Sequence, residues 1–281
     1  MSQGEHKIRQ ILVALDSSPA SLAALKQAVD LAADFEATVL GLYVEDINLL
    51  RVAEISFTHE VGLFSARSRR LEIQYVERQF KGQASKARDA LAKLAKQAGV
   101  EWSFRVVRGV ITTELLAAAA EADLIIMGRV GLSPLGRRRM GSTARAILLQ
   151  APQLTLILHP GGLQLGLPVV AIFDGSAVAQ KALATAAQLL HSKTSRLSVL
   201  ILADDPETAQ KLQHQAEKTL NQQGLSAHYL WQSRSGVQGV IHKIRMEGCQ
   251  FLVVPGEGAQ LDHDTVLALL EQIECPVLLV K

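Results

Sequence analysis

The 281-residue chain has little charge of either sign to spare, little cysteine and no long apolar run, and each shortage narrows the field. Lys and Arg number 29 against 27 Asp and Glu, a formal net charge of +2, so bulk composition favours neither a nucleic acid nor an acidic membrane as partner. Only two cysteines occur, Cys249 and Cys275, in or beside apolar runs of the second half; the expectation is a pair of buried, reduced thiols. No apolar stretch approaches the length of a membrane span, and the opening M-S-Q-G-E-H-K has no apolar signal core. A soluble, cytoplasmic protein with no membrane span is therefore expected. There is no G-x4-G-K-[ST] loop, no H-E-x-x-H and no obvious activated nucleophile, so dedicated catalysis is not indicated.

What is present is a chain written twice. I-L-V-A-L-D-S-S at Ile11–Ser18 returns as V-V-A-I-F-D-G-S at Val169–Ser176. D-L-I-I-M-G at Asp123–Gly128 returns as Q-F-L-V-V-P-G at Gln250–Gly256, and A-P-Q-L-T-L-I-L at Ala151–Leu158 returns as C-P-V-L-L-V at Cys275–Val280. The Gly- and Pro-rich junction His159–Pro168 reads as a linker, giving expected domains at 1–160 and 168–281. In the first half, short Val/Ile/Leu-rich strands at Ile11–Leu15, Val39–Val44, Trp102–Val107, Leu124–Met127 and Leu154–Leu158 alternate with helical patterns. Those helices are expected at Ala20–Ala33, across Leu50–Gln97, at Thr113–Glu121 and at Thr143–Gln150. Ser18 before Pro19 has the form of an N-cap followed by proline at the first helical position. The class is α/β: two tandem, open, parallel sheets flanked by helices, with right-handed crossovers.

The stretch Asp123–Thr143 carries the most chemistry. An apolar run ends in Gly128; Gly131 follows, then nine residues, then Gly141-Ser142-Thr143 at the start of a helical pattern. Glycines let an anion approach the backbone, and a helix start presents free N–H groups to it, so the arrangement suits phosphates. In open sheets of this kind ligands bind beyond the carboxyl ends of strands, where the strand order reverses. Asp16 follows the first strand and Gly128 the fourth, so a nucleotide lying across both loops is expected if those strands are neighbours.

Taken together these residues resemble the universal stress protein family, and the doubling resembles its tandem members. The resemblance covers nearly the whole chain and is carried most strongly by G-R-V-G, nine residues and G-S-T in the first half. It implies an adenine nucleotide alpha hydrolase-like fold, each half a five-stranded sheet of order 3-2-1-4-5, and ATP as ligand, with magnesium as its companion ion. Ala14, Leu15 and Asp16 would lie along the adenosine, and the backbone of Val44 would face the adenine. Met127 and Gly128, with Arg129 and Gly131, would line the ribose and first phosphates, and Gly141, Ser142 and Thr143 would hold the phosphate tail. The competing reading of Asp16 is a capping carboxylate after a strand. Val130 and Leu132 stand where many family members have a histidine and a basic residue. The positive charge has moved to Arg129 and to Arg137, Arg138 and Arg139, whose competing reading is a solvated basic loop.

The second half keeps Asp174-Gly175-Ser176 but has no glycine after Gly258, and Glu257, Asp262 and Asp264 would repel a triphosphate there. It is expected to be structural or regulatory, paired with the first half through their fifth strands. Asp262-His263-Asp264 is better explained as a helix start than as a metal site. The extra length of the first half falls in Asp46–Gly99. Its helical stripe is expected through Leu71, Tyr75 and Arg78, with Ile73 and Val76 on other faces, packing against the sheet or a partner. The readings are a nucleotide-dependent stress-response module with an unknown protein partner, an interaction module without nucleotide, or a slow ATPase; a further homodimer of whole chains is compatible with each.

Overall fold

The computed structural model describes residues 8–55, 59–61, 68–70, 72–130, 140–159, 167–190, 196–233, 236–256, 261 and 263–281. The first half runs β1 (Gln10–Ala14), α1 (Pro19–Phe35), β2 (Thr38–Asp46), α2 (Ile47–Glu54), β3 (His59–Val61), β4 (Ser68–Arg70), α3 (Ile73–Ala98), β5 (Trp102–Gly109), α4 (Ile111–Ala119), β6 (Leu124–Gly128), α5 (Ser142–Gln150) and β7 (Leu154–Leu158). The second half follows with β8 (Val169–Phe173), α6 (Ala177–Leu190), β9 (Leu197–Leu202), α7 (Pro206–Asn221), β10 (His228–Gln232), α8 (Val237–Glu247), β11 (Phe251–Pro255), α9 (His263–Gln272) and β12 (Val277–Val280).

The main sheet has ten strands in the order β10-β9-β8-β11-β12-β7-β6-β1-β2-β5. Numbered within each half, both blocks read 3-2-1-4-5, the order the resemblance implied, and within each block every pairing is parallel. The blocks join through β12 and β7, which pair antiparallel with Val277 opposite Ile157, Leu278 opposite Leu156 and Leu279 opposite Thr155. The two expected sheets are thus one continuous sheet, and the fifth strands cover each other's edges. The antiparallel join has a further consequence. The carboxyl end of β7 lies beside the amino end of β12, so the ligand end of the first half meets the opposite end of the second.

Alternation within each strand builds a core on both faces. Ile11 and Val13 of β1 pack on the side of α1, α3, α6 and α7, while Leu12 faces the side of α4, α5, α8 and α9. The helices start where local chemistry says they should. Ser18 Oγ accepts from the Ser21 N–H with Pro19 in the first turn of α1, and Asp205 accepts from Thr208 N–H ahead of Pro206 in α7. Each such cap is worth about 1 kcal/mol. α1 stops at Glu36 and α3 at Gly99, both in the left-handed region at φ 54° and 68°.

Two expectations are corrected. The stretch Leu50–Gln97 is not one helical run: α2 ends at Glu54, β3 and β4 pair antiparallel, and α3 begins only at Ile73. The buried stripe of α3 is Val76, Phe80, Ala84, Ala87, Leu91 and Ala95, spaced by three or four residues, whereas Arg78 is exposed and Tyr75 half-buried; Leu71 lies outside the described residues. The second correction concerns the cysteines. Cys249, just after α8, and Cys275, just before β12, form a disulfide with Cα atoms 6.2 Å apart. Apolar surroundings suggested isolated thiols because sequence does not reveal that neighbouring parallel strands β11 and β12 start side by side.

Candidate functional site

The carboxyl ends of β1, β2 and β6, the head of α5 and the flank of α3 surround a cavity of about 600 Å³, within the usual size for a small-molecule site. Of the residues singled out from the sequence, Ala14, Leu15, Asp16, Val44, Met127, Gly128, Arg129, Gly141, Ser142 and Thr143 all border it. Gly131 lies outside the described residues, as do Arg137, Arg138 and Arg139. Positions more than a hundred residues apart converge because β1 pairs directly with both β2 and β6.

Among the described residues, the head of α5 carries no side-chain cap. Gly141 is its N-cap and supplies no side-chain hydrogen bond, and the helix's first backbone bond is donated by Arg145 N–H to Gly141 O. The amides of Ser142, Thr143 and Ala144 precede that bond and have no side-chain cap. With the helix dipole they form a partial positive charge facing the cavity. Gly141 itself is held by its N–H donating to Arg129 O at 2.9 Å.

The opposite end of the cavity is shaped by the first turn. Asp16 Oδ1 accepts from Ser18 N–H at 2.9 Å, so one carboxylate oxygen holds the turn, as the capping alternative anticipated. Ser17 sits at φ 62°, uncommon for a residue with a side chain, and its hydroxyl donates to Gln83 O of α3 at 2.9 Å. Gly128 has a packing duty as well: a Cβ there would lie 2.8 Å from the Ala20 Cβ and 3.0 Å from the Ala20 carbonyl carbon. Its lack of a side chain lets α1 close on β6.

Arg129 takes partners that the sequence did not suggest. Only 6% exposed, its guanidinium donates to Glu271 O at 2.6 Å and Ile273 O at 3.1 Å, at the end of α9 in the second half. It also meets His159 Nε2 at 3.1 Å. The last carbonyls of a helix lack intrahelical partners and carry partial negative charge, which a buried guanidinium matches well. Burial pulls the Arg129 pKa below its ordinary value, with Glu271 and Glu274 acting the other way. His159, half-buried and beside that charge, is pushed down to about 4, and because a guanidinium can only donate, its Nε2 is the acceptor of the hydrogen bond.

Sequence reasoning missed the wall contributed by the insertion. Tyr43, Asp46, Leu49, Gln79, Phe80 and Gln83 border the cavity on one side, and Ile111, Leu115 and Met140 line it on the other. Tyr43, Leu50, Ala53, Val76, Phe80 and Ala84 form a small apolar cluster that seats α2 and α3 beside the opening. The Tyr43 hydroxyl donates to Gln83 Oε1 at 2.7 Å; its pKa is raised to about 12 by burial first and by the carboxylates of Glu45 and Asp16. The four-residue steps Val76–Phe80–Ala84 were the available signal. Among the described residues no group of His, Cys, Asp and Glu is placed to hold a metal ion, and Asp262 is not among them; α9 starts at His263. No described helix is long and apolar enough to cross a membrane.

Comparison with known proteins adds a sequence match and a fold match. A sequence profile of the universal stress protein family matches residues 7–159. A universal stress protein of Methanocaldococcus jannaschii is 30% identical over 150 residues, covering 53% of this chain and 80% of the relative. A solved universal stress protein from Archaeoglobus fulgidus aligns over 97% of this chain and 98% of its own at a TM-score of 0.75 and 16% identity. A functionally unknown protein from Pseudomonas aeruginosa aligns over 98% and 93% at a TM-score of 0.65 and 16% identity. These structural likenesses establish the shared doubled fold.

Proposed function

The chain belongs to the universal stress protein family, and from that premise we propose that it is an ATP-binding stress-response module whose nucleotide sits in the first half. On this reading residues 1–160 form the nucleotide domain and 168–281 a structural or regulatory domain paired with it. The adenosine lies along Ala14, Leu15, Asp16 and Val44. Its ribose passes Met127 and Gly128, and the phosphates reach the amides and hydroxyls of Gly141, Ser142 and Thr143. Gly131 is assigned to the same site by the glycine pattern of the sequence. Asp16 is uncomfortable beside phosphate and fits the sugar end, where a carboxylate accepts from hydroxyls. Magnesium arriving with ATP finds oxygen donors in the Ser142 and Thr143 hydroxyls.

The observation that carries this reading is the head of α5, an N-terminus without a side-chain cap that opens on a cavity of about 600 Å³. The test is titration calorimetry of nucleotide-stripped protein with Mg-ATP, repeated on Gly141→Val. The branched side chain obstructs phosphate approach at a close backbone contact. Each charge-assisted hydrogen bond lost weakens binding by about 10- to 100-fold. A Gly141→Val protein with unchanged circular dichroism and unchanged ATP affinity would remove the phosphate site from α5. No binding to the parent protein would leave the fold as an interaction module.

A further inference from the structure

We propose that the Cys249–Cys275 disulfide controls nucleotide binding in the first half, acting through Arg129 as a positioning residue. The inference rests on the ATP-binding reading above. Because β12 and β7 run antiparallel, the carboxyl end of α9 is delivered to the ligand end of the first half. There Arg129 joins three parts of the molecule. Its N–H donates to Leu158 O of β7, its carbonyl accepts from Gly141 N–H at the head of α5, and its guanidinium holds the Glu271 and Ile273 carbonyls. The phosphate-facing helix start and the last turn of α9 therefore share one residue.

The disulfide closes two residues beyond that turn. Cys275 follows Ile273, and its bond to Cys249 pins the α9–β12 junction to the α8–β11 junction. Arg245 of α8 completes the clamp by donating to Gln272 O at 2.7 Å. Half one shows that packing alone does not require the bond: the matching positions are Ala122 and Ala151, both buried. Its own matching helix end is tied by Lys281, whose Nζ donates to Leu149 O at 3.0 Å. The cross-half tie is thus made in both directions, but only the tie through Arg129 is backed by a disulfide.

Cys275 is only half-buried, which gives a dithiol a side from which to attack. In the reduction the S–S bond breaks, two S–H groups form, and the dithiol supplies two electrons and two protons as it closes to its own disulfide. With the bond open the last turn of α9 frays more readily. The acceptors of Arg129 are then less fixed and the head of α5 is less preorganised for phosphate. Oxidised protein binds tightly and reduced protein weakly.

The test uses the full chain, oxidised or treated with dithiothreitol, with free thiols counted in each state. Calorimetry with Mg-ATP is expected to give at least about fivefold weaker binding after reduction, the lower end of usual coupling between sites. Cys249→Ala/Cys275→Ala, which installs the pair found in half one, is expected to match the reduced form. Hydrogen exchange without nucleotide is expected to rise together at residues 140–144 and 268–274. Equal affinity in the two states, or two free thiols under oxidising conditions, overturns the proposal and leaves ATP binding standing. If neither state binds ATP, the functional reading fails and exchange decides: a rise confined to α9 overturns the coupling, and a joint rise supports it.

Discussion

The two halves make the same turn after their first strand and then cover it differently. Asp16 Oδ1 accepts from Ser18 N–H and Asp174 Oδ1 from Ser176 N–H, at 2.9 and 3.0 Å. Ser18 and Ser176 each accept from the N–H three residues on, and the middle residues Ser17 and Gly175 are left-handed at φ 62° and 82°. Above the turn the resemblance ends. In half one the Ser17 hydroxyl meets the backbone of α3, which runs on for extra turns and presents Gln79, Phe80 and Gln83 to an open cavity. In half two Leu212 of α7 presses onto the turn so closely that a Cβ on Gly175 would lie 2.4 Å from its Cδ2. The Asp-x-Ser turn is a device for starting a helix, and in half one a cavity opens over it while in half two Leu212 packs on it.

Removing the cover from half two is the strongest way to press that comparison. Leu212→Ala deletes a buried side chain and is expected to cost about 3 kcal/mol of stability, measured by urea unfolding. It is not expected to create a second ATP site, since half two has no glycine after Gly258 to open its last helix. Two ATP per Leu212→Ala chain would show that occlusion alone silences half two.

Gly128, the last residue of β6, and Gly256, the residue just after β11, give a finer contrast. Gly128→Ala drives a Cβ against Ala20 of α1, backbone included, and is expected to cost about 1–3 kcal/mol. At Gly256 the same methyl meets the Lys281 Cγ and Val280 O at 3.1 Å, where a flexible side chain can yield in part. Gly256→Ala is expected to cost under about 1 kcal/mol. Equal melting temperatures for the two variants would show that α1 has slack against β6.

A last contrast is the pH dependence of the joint between halves. His159 is held at about 4 in the folded chain, by burial and by Arg129, against an ordinary value of 6.5. Between those values the unfolded chain binds the proton and the folded one resists it. Stability is therefore unaffected above about pH 6.5, falls as pH drops through the window and levels below about pH 4. His159→Asn is expected to flatten the corresponding slope in urea unfolding between pH 4 and 6.5. An unchanged slope would place the titration elsewhere.

The strands β1, β2, β6 and β7 were legible because each is a short apolar run rich in Val, Ile and Leu between glycine or helix-start signals, whereas the sheet order came from the family resemblance, and β3, β4 and β10, with sequences HEV, SRR and HYLWQ, carry no such run. Gly141-Ser142-Thr143 was legible as a helix start because glycine is a favoured N-cap ahead of an apolar helical pattern. The partners of Arg129 were not legible, since Glu271 and Ile273 lie in the other half of the chain. The packing of Leu212 on the Gly175 turn could not be seen, since its apolar character fits any core position of α7. Tyr43 and Gln83 were missed for a related reason: their contact depends on how α3 is tilted over β2. Pairing of Cys249 with Cys275 needed the register of β11 against β12.

The most direct test of the contrast between the halves is the stoichiometry of Mg-ATP on the nucleotide-stripped, oxidised full-length chain by titration calorimetry. One ATP per chain, abolished or strongly weakened by Gly141→Val, is the predicted result. Two equivalent sites per chain, or a single site that Gly141→Val leaves untouched, would contradict it.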